Sequence, residues 1–253
     1  MLGQCLATCP PNRMKITGYE RHAKTNVGAG PSFTKTLDRG GPVASPTSTT
    51  NSLRLCLSEP IPQIAEAARF LDEAATAHLS GRSELAEDLI RRADMPEIRK
   101  WLKPIWADSS VHLRFPASQE QKPLSKELRS KERLATTSDK ARIHQRDGYN
   151  CRFCGMPIIR RETRARIKAI YPTALTWGSK DVEQHAAFQA MWAQYDHVVP
   201  HARGGPTILE NLVLTCAACN FGRAGYTLEE VAVADPRLRP PLRTAWDGLE
   251  RLR

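Results

Sequence analysis

No stretch of the 253 residues reaches the ~18 consecutive apolar side chains that a membrane-spanning helix requires, so the sequence offers no membrane span. Met1 to Pro10 lacks a basic start followed by a long apolar run, and no secretory leader is expected there. Internal repeats are missing too, which sets solenoids and propellers aside. Of the seven cysteines, Cys5, Cys9 and Cys56 fall outside any pair, and this odd remainder suits free thiols better than a disulfide framework. A soluble cytoplasmic protein is therefore the expectation. The length allows one or two domains, and 25% charged with 41% hydrophobic residues suits a packed core.

The other four cysteines form two C-x-x-C pairs, Cys151/Cys154 and Cys216/Cys219. Two intervening residues let one tight turn aim both thiolates inward, and two such turns complete a tetrahedral shell for a structural zinc ion. A redox dithiol would call for a βαβ context, which neither flank offers. Sixty-one residues separate Cys154 from Cys216, well beyond the ~15–20 of a compact zinc ribbon. The clamp thus encloses an insert with room for a site of its own.

Formal charge is +10, and its distribution says more than its size. Residues 122–168 hold fourteen Lys or Arg against five Asp or Glu. Clustered cations next to a zinc turn favour a phosphate backbone, whose condensed counterions they release. A nucleic acid is the partner this implies.

Residues 1–51 are rich in small and polar side chains that cannot repay the entropy of ordering, and a disordered tail is expected. Residues 52–115 read as a small helical unit. An apolar stripe of Ile64, Ala68, Leu71, Ala75 and Leu79 ends at Gly81; Ser83 can cap a second helix to Arg92; Asp94-Met-Pro-Glu97 opens a third carrying Trp101. Phe70, Trp101 and Trp106 are expected in its core. Residues 116–137 read as a basic linker, and 138–253 as the second domain. There Ser138 caps a helix to Arg146 that Gly148 stops, Ser179 caps a helix from about Lys180 to Ala193, and a strand around Tyr195–Val199 precedes a second at Leu212–Thr215. A helix from Cys219 comes next. Thr227-Leu-Glu-Glu230 reads as a capping box for a short helix, and Trp246 to Leu252 suggests another. The fold class is α+β.

The ordered series Cys151-x-x-Cys154, Asp196-His197-Val-Val-Pro200, Gly204-Gly205, Asn211-Leu-Val-Leu and Cys216-x-x-Cys219-Asn220 resembles the HNH endonucleases, over residues 142–226. The resemblance implies a ββα-metal finger stapled by zinc. It also implies a divalent ion, magnesium or manganese, held by Asp196 and Asn220, with His197 activating water. Asn211 joins the catalytic set as the amide that ties down the loop presenting the histidine, and the expected products carry a 5′-phosphate and a 3′-hydroxyl. Asparagine at the last motif position departs from the HNH lettering and favours hard magnesium. The insert after Cys154 is longer than in minimal members, and Arg160, Arg161, Arg164, Arg166 and Lys168 are expected to grip nucleic acid, with Arg223 on a phosphate.

The sequence thus points to a metal-dependent endonuclease acting on DNA, with RNA left open and a homodimer suited to paired cuts. A zinc-stapled module that binds nucleic acid without cutting it is the alternative, and the combination of Asp196, His197 and Asn220 separates the two.

Overall fold

The computed structural model describes residues 53–107 and 122–252. The expected tail at 1–51, together with Cys5 and Cys9, lies outside the described residues, as does the Trp106 side chain. Helix α1, Pro62–Leu79, starts with proline at its first position, where the missing N–H costs nothing. It buries Ile64, Phe70, Leu71 and a row of alanines, then stops at Gly81, whose φ of +75° is the left-handed turn that glycine takes most easily. Helix α2, Ser83–Arg92, packs on α1 through Ala86, Leu89 and Ile90. Ser83 is its first residue rather than a side-chain cap. Helix α3 spans Pro96–Ala107. Asp94 does not cap it: the carboxylate accepts from the Ala186 backbone N–H at 2.7 Å and from Arg99 at 3.0 Å.

The bond to Ala186 ties the helical unit to the C-terminal half of the chain, and it is not isolated. His185 Nε2 meets the Ile90 carbonyl at 2.8 Å, the Tyr171 hydroxyl meets His78 Nδ1 at 2.7 Å, and Arg251 reaches Asp72 at 2.6 Å. Arg54 bridges to Val233 as a parallel strand fragment. One apolar core runs from Cys56 to Leu252, and all described residues fall in one compact unit. The domain boundary expected near residues 116–137 is therefore no break in the core.

Helix α4, Thr137–Asp147, begins two residues earlier than expected because Thr136, not Ser138, is the cap and closes a reciprocal capping box with Asp139. Helix α5, Arg161–Ile170, lies beyond the first cysteine turn. The long helix expected over residues 180–193 is absent. The Glu183 carboxylate folds back onto the Ser179 and Lys180 N–H groups, Asp181–Glu183 makes a single 3-10 turn, Gln184 and His185 are extended, and Ala186–Ala190 forms a short α-helix, α6. Val182, within that expected helix, is exposed.

Strand β1, Gln194–His197, then pairs antiparallel with β2, Leu212–Thr215, so that Asp196 lies opposite Val213 and His197 opposite Leu212. Helix α7, Ala217–Arg223, completes a ββα unit. Thr227 and Glu230 do make their box, with the Thr227 N–H on Glu230 at 2.8 Å, but it closes a turn: Ala232 takes φ +51° and sends Val233 to its bridge with Arg54. The expected C-terminal helix is a single turn at Glu250–Leu252. Among the described residues no helix is long and apolar enough to cross a membrane.

Candidate active site and metal cage

The first cysteine pair sits on a tight turn. The Gly155 N–H donates to the Cys151 carbonyl at 2.9 Å, and Gly155 turns the chain with φ +76°. Cys216 precedes α7, and its Sγ accepts from the Cys219 N–H at 3.3 Å. All four sulfurs lie within 4.8 Å of one another, with Cys154 and Cys216 Sγ 3.7 Å apart. A tetrahedral site with ~2.3 Å zinc–sulfur bonds places sulfurs ~3.8 Å apart, so the cage fits a zinc-sized ion. Burial opposes ionisation of Cys151, yet hydrogen bonds from the other three thiols outweigh it and hold Cys151 well below the ordinary thiol range. The Cys56 thiol, unpaired and close by, is pushed up to about 11 by burial and by the charges of Cys154 and Cys151.

At the other end of α7 the motif residues converge on the end of β1. His197 is buried, and its Nε2 lies 2.9 Å from the Thr207 hydroxyl, which in turn donates to the Glu132 carbonyl at 2.5 Å. A hydroxyl has one proton to give, so Nε2 must be the donor, and the lone pair resides on Nδ1. Burial, with the charges of His201, Arg133 and Arg223 behind it, pushes the His197 pKa down to about 4. The ring is thus neutral near pH 7.

Asn211 fixes the loop between the strands. Its Oδ1 accepts from the Val199 N–H at 2.9 Å, and its Nδ2 donates to the Val199 and Pro206 carbonyls at 3.1 and 2.9 Å. Gly205 is required beside it, since a Cβ there would lie 1.8 Å from the Val199 carbonyl oxygen.

Asp196 is buried, and Arg223 holds its Oδ2 with Nη2 at 2.6 Å and Nε at 3.2 Å. Burial raises the Asp196 pKa; the Arg223 charge opposes that shift. Arg223 also donates to the His197, Val198 and Tyr226 carbonyls, at 2.6, 3.3 and 2.8 Å. Expected on a substrate phosphate, it is instead buried and clamps the strand end that carries the Asp-His pair. Asn220 lies three residues before Arg223 on α7, on the same helix face, and its partly exposed side chain makes no hydrogen bond among the described residues. An Asp and an Asn with waters and substrate oxygens form a donor set that suits magnesium or manganese.

The insert's cations are mostly committed elsewhere. Arg164, buried, lies with its guanidinium 3.4 Å from the Trp177 ring centre and 5.1 Å from that of Trp192, and burial brings its pKa down to about 10. Arg160 pairs with Glu250 at 2.6 Å, Lys168 donates to the Trp177 carbonyl at 3.0 Å, and Arg166 approaches the Leu252 carbonyl at 3.4 Å. Arg161 is exposed. Of the five cations expected to grip nucleic acid, Arg164 is thus a buried packing element, and the half-buried Arg160, Arg166 and Lys168 brace the C-terminal turn or the insert itself.

Residues 122–135, read from sequence as linker, lie against the loop between β1 and β2. Leu124 N–H meets the Ala202 carbonyl at 2.8 Å, and His201 Nε2 meets the Ser130 carbonyl at 2.9 Å. Exposed Lys126, Lys131 and Arg133 come with this strap. Thr207 and the Glu132 carbonyl are the site residues that sequence reasoning missed; no motif position or spacing marks either.

Residues 182–222 match the family model described as HNH endonuclease. This part of the chain is an HNH domain, and the match takes in Asp196, His197, Asn211, the second cysteine pair and Asn220. The four-cysteine cage fits the zinc-stapled form of that domain. No curated protein and no solved structure matches the chain significantly.

Proposed function

We propose that the protein is an endonuclease that hydrolyses phosphodiester bonds in DNA. The observation that carries this reading is the state of His197: neutral, with Nε2–H held by Thr207 and Nδ1 without a partner among the described residues, beside a buried Asp196 and within the HNH match. Nδ1 takes the proton of a water molecule as that water attacks phosphorus, and the imidazole becomes a cation in the transition state. Asn211 and Arg223 keep the ring in place through the loop and the strand end. Asp196 and Asn220 would hold magnesium or manganese, which supplies charge neutralisation at the phosphate and at the departing 3′-oxygen. The products are a 5′-phosphate and a 3′-hydroxyl. The exposed strap cations and Arg161 give the nucleic acid its electrostatic approach.

The cage would hold one structural zinc ion, and its thiolates with free Cys56 suit a reducing, cytoplasmic setting. A monomer would nick duplex DNA, whereas a homodimer would cut both strands. A supercoiled plasmid incubated with purified protein and magnesium or manganese should relax or linearise. If no divalent ion supports cleavage while the protein still retards DNA, the non-enzymatic binding module is the correct reading.

A further inference from the structure

A second basic site lies at the outer edge of β2. A cleft of about 480 Å³ is lined by Arg146, Asp147, Arg152, Glu210, Arg237 and Arg239, among others. Arg152 stands between the two cysteines of the first pair and is 7% exposed. Its Nη2 donates to the Pro236 carbonyl and, at 2.7 Å, to that of Arg239, but its Nε and Nη1 are buried with no hydrogen-bond partner among the described residues. Arg239 is in the same position: Nη2 serves the Arg152 and Phe153 carbonyls, while Nη1 is buried and has no partner among the described residues.

The acids nearby do not answer these cations. Asp147 is 3.9 Å from Arg152 Nε, and its two oxygens are already taken by Arg146, at 2.7 and 2.8 Å, and by the Leu214 N–H at 3.0 Å. Arg237 is tied to Asp235 at 2.7 Å. Glu210 is exposed at the rim. Unsatisfied buried guanidinium N–H groups are costly, and a tetrahedral oxyanion is a ligand whose several oxygens suit guanidinium N–H donors from two side chains.

We propose that this cleft is a phosphate seat in which Arg152 and Arg239 hold one phosphoryl group. Val213, which also lines it, pairs with Asp196 across the hairpin, so the seat lies one strand away from the Asp-His pair. That the phosphate belongs to a nucleic-acid strand rests on the proposed nuclease function; that the cleft takes a phosphate does not.

The test is calorimetric titration of the full chain with inorganic phosphate and pyrophosphate, ionic strength held constant with chloride, and it needs no catalytic activity. One saturable site per chain is expected. Arg239→Gln should weaken it by about tenfold. Glu210→Gln, an exposed change that leaves the packing alone, should tighten it by about two- to fivefold. No saturable binding by the wild type, or affinity unmoved in both variants, overturns the proposal; should Arg239→Gln fail to fold, Glu210→Gln and the wild type decide it. Oligonucleotide binding to the same proteins identifies the source. Phosphate that competes with the oligonucleotide, with a salt slope lowered by about one in Arg239→Gln, assigns the seat to the strand backbone. Oligonucleotide affinity unchanged while phosphate binding falls assigns it to a free phosphoanion.

Discussion

The cysteine cage and the histidine site share α7, yet they are built on opposite principles. The cage needs two short turns, and each turn carries its own ligands: Cys151 with Cys154 on one, Cys216 with Cys219 on the other. The histidine site is assembled from afar. Its ring is oriented by Thr207, whose hydroxyl answers to a carbonyl at Glu132, and its strand end is clamped by Arg223 from the helix. A metal cage tolerates a plain spacing rule because four bonds to one ion impose the geometry. A general base has no such organiser, so packed neighbours must set its tautomer and direction.

Loss of the cage carries the largest expected effect. Apparent free energies of about 10–16 kcal/mol for structural zinc sites rival the whole stability of a domain. Cys216→Ser should therefore drop bound zinc well below about one per chain and lower the Tm by more than about 10 °C. Metal analysis and calorimetry that found both unchanged would remove the structural role.

Next in size is the clamp. Removing one partner of a buried ion pair costs about 3–5 kcal/mol, so Arg223→Met should destabilise by about that amount and abolish cleavage through the misplaced Asp196. Affinity for DNA should hardly change, since the side chain is buried. A variant that stayed stable but lost DNA affinity would return Arg223 to the phosphate-contact role that its sequence position suggested.

Thr207→Val sharpens the other half. It keeps the shape and removes the hydroxyl, so cleavage should fall by roughly 10–100-fold, the usual penalty for losing an imidazole's supporting partner, with the Tm within a few degrees of wild type. Histidine ring-nitrogen shifts should report loss of the Nε2–H form. Full activity with an altered tautomer would show that Thr207 does not govern the base.

The smallest effect separates packing from chemistry. His185 is fully buried, and desolvation lowers its pKa from the ordinary value. The unfolded chain takes up a proton at about pH 6.5 that the folded chain resists, so stability is full above that value and declines as the pH falls below it. This limb is worth at most about 1.4 kcal/mol per pH unit for one group, and His185→Gln should flatten it in urea titrations between about pH 5 and 7. An unchanged slope would mean other groups set the acid limb.

Legibility divided along the same line. The cysteine spacing, the Asp196-His197 dipeptide and the Gly204-Gly205 turn were visible because local geometry dictates their residue types. The first three helices were visible too, since their apolar stripes repeat at helical spacing. The shared core was not, because Asp94 and His185 speak for it only through partners about ninety residues away. The helix expected over residues 180–193 failed for a comparable reason: Glu183 turned its carboxylate back on the preceding N–H groups, and the extended residues Gln184 and His185 lead directly to α6. Charge was the least reliable guide. Arg164, placed by its run of basic neighbours on a binding surface, lies instead against two tryptophans.

In the proposed division of labour the cage holds the fold while His197 activates water. Wild type and His197→Ala, prepared in parallel, should be compared for plasmid cleavage with magnesium or manganese, zinc content and Tm. The account predicts cleavage lower by at least about a hundredfold in the variant, with zinc content unchanged and the Tm within a few degrees. Cleavage that survives the substitution, with the fold intact, would contradict it.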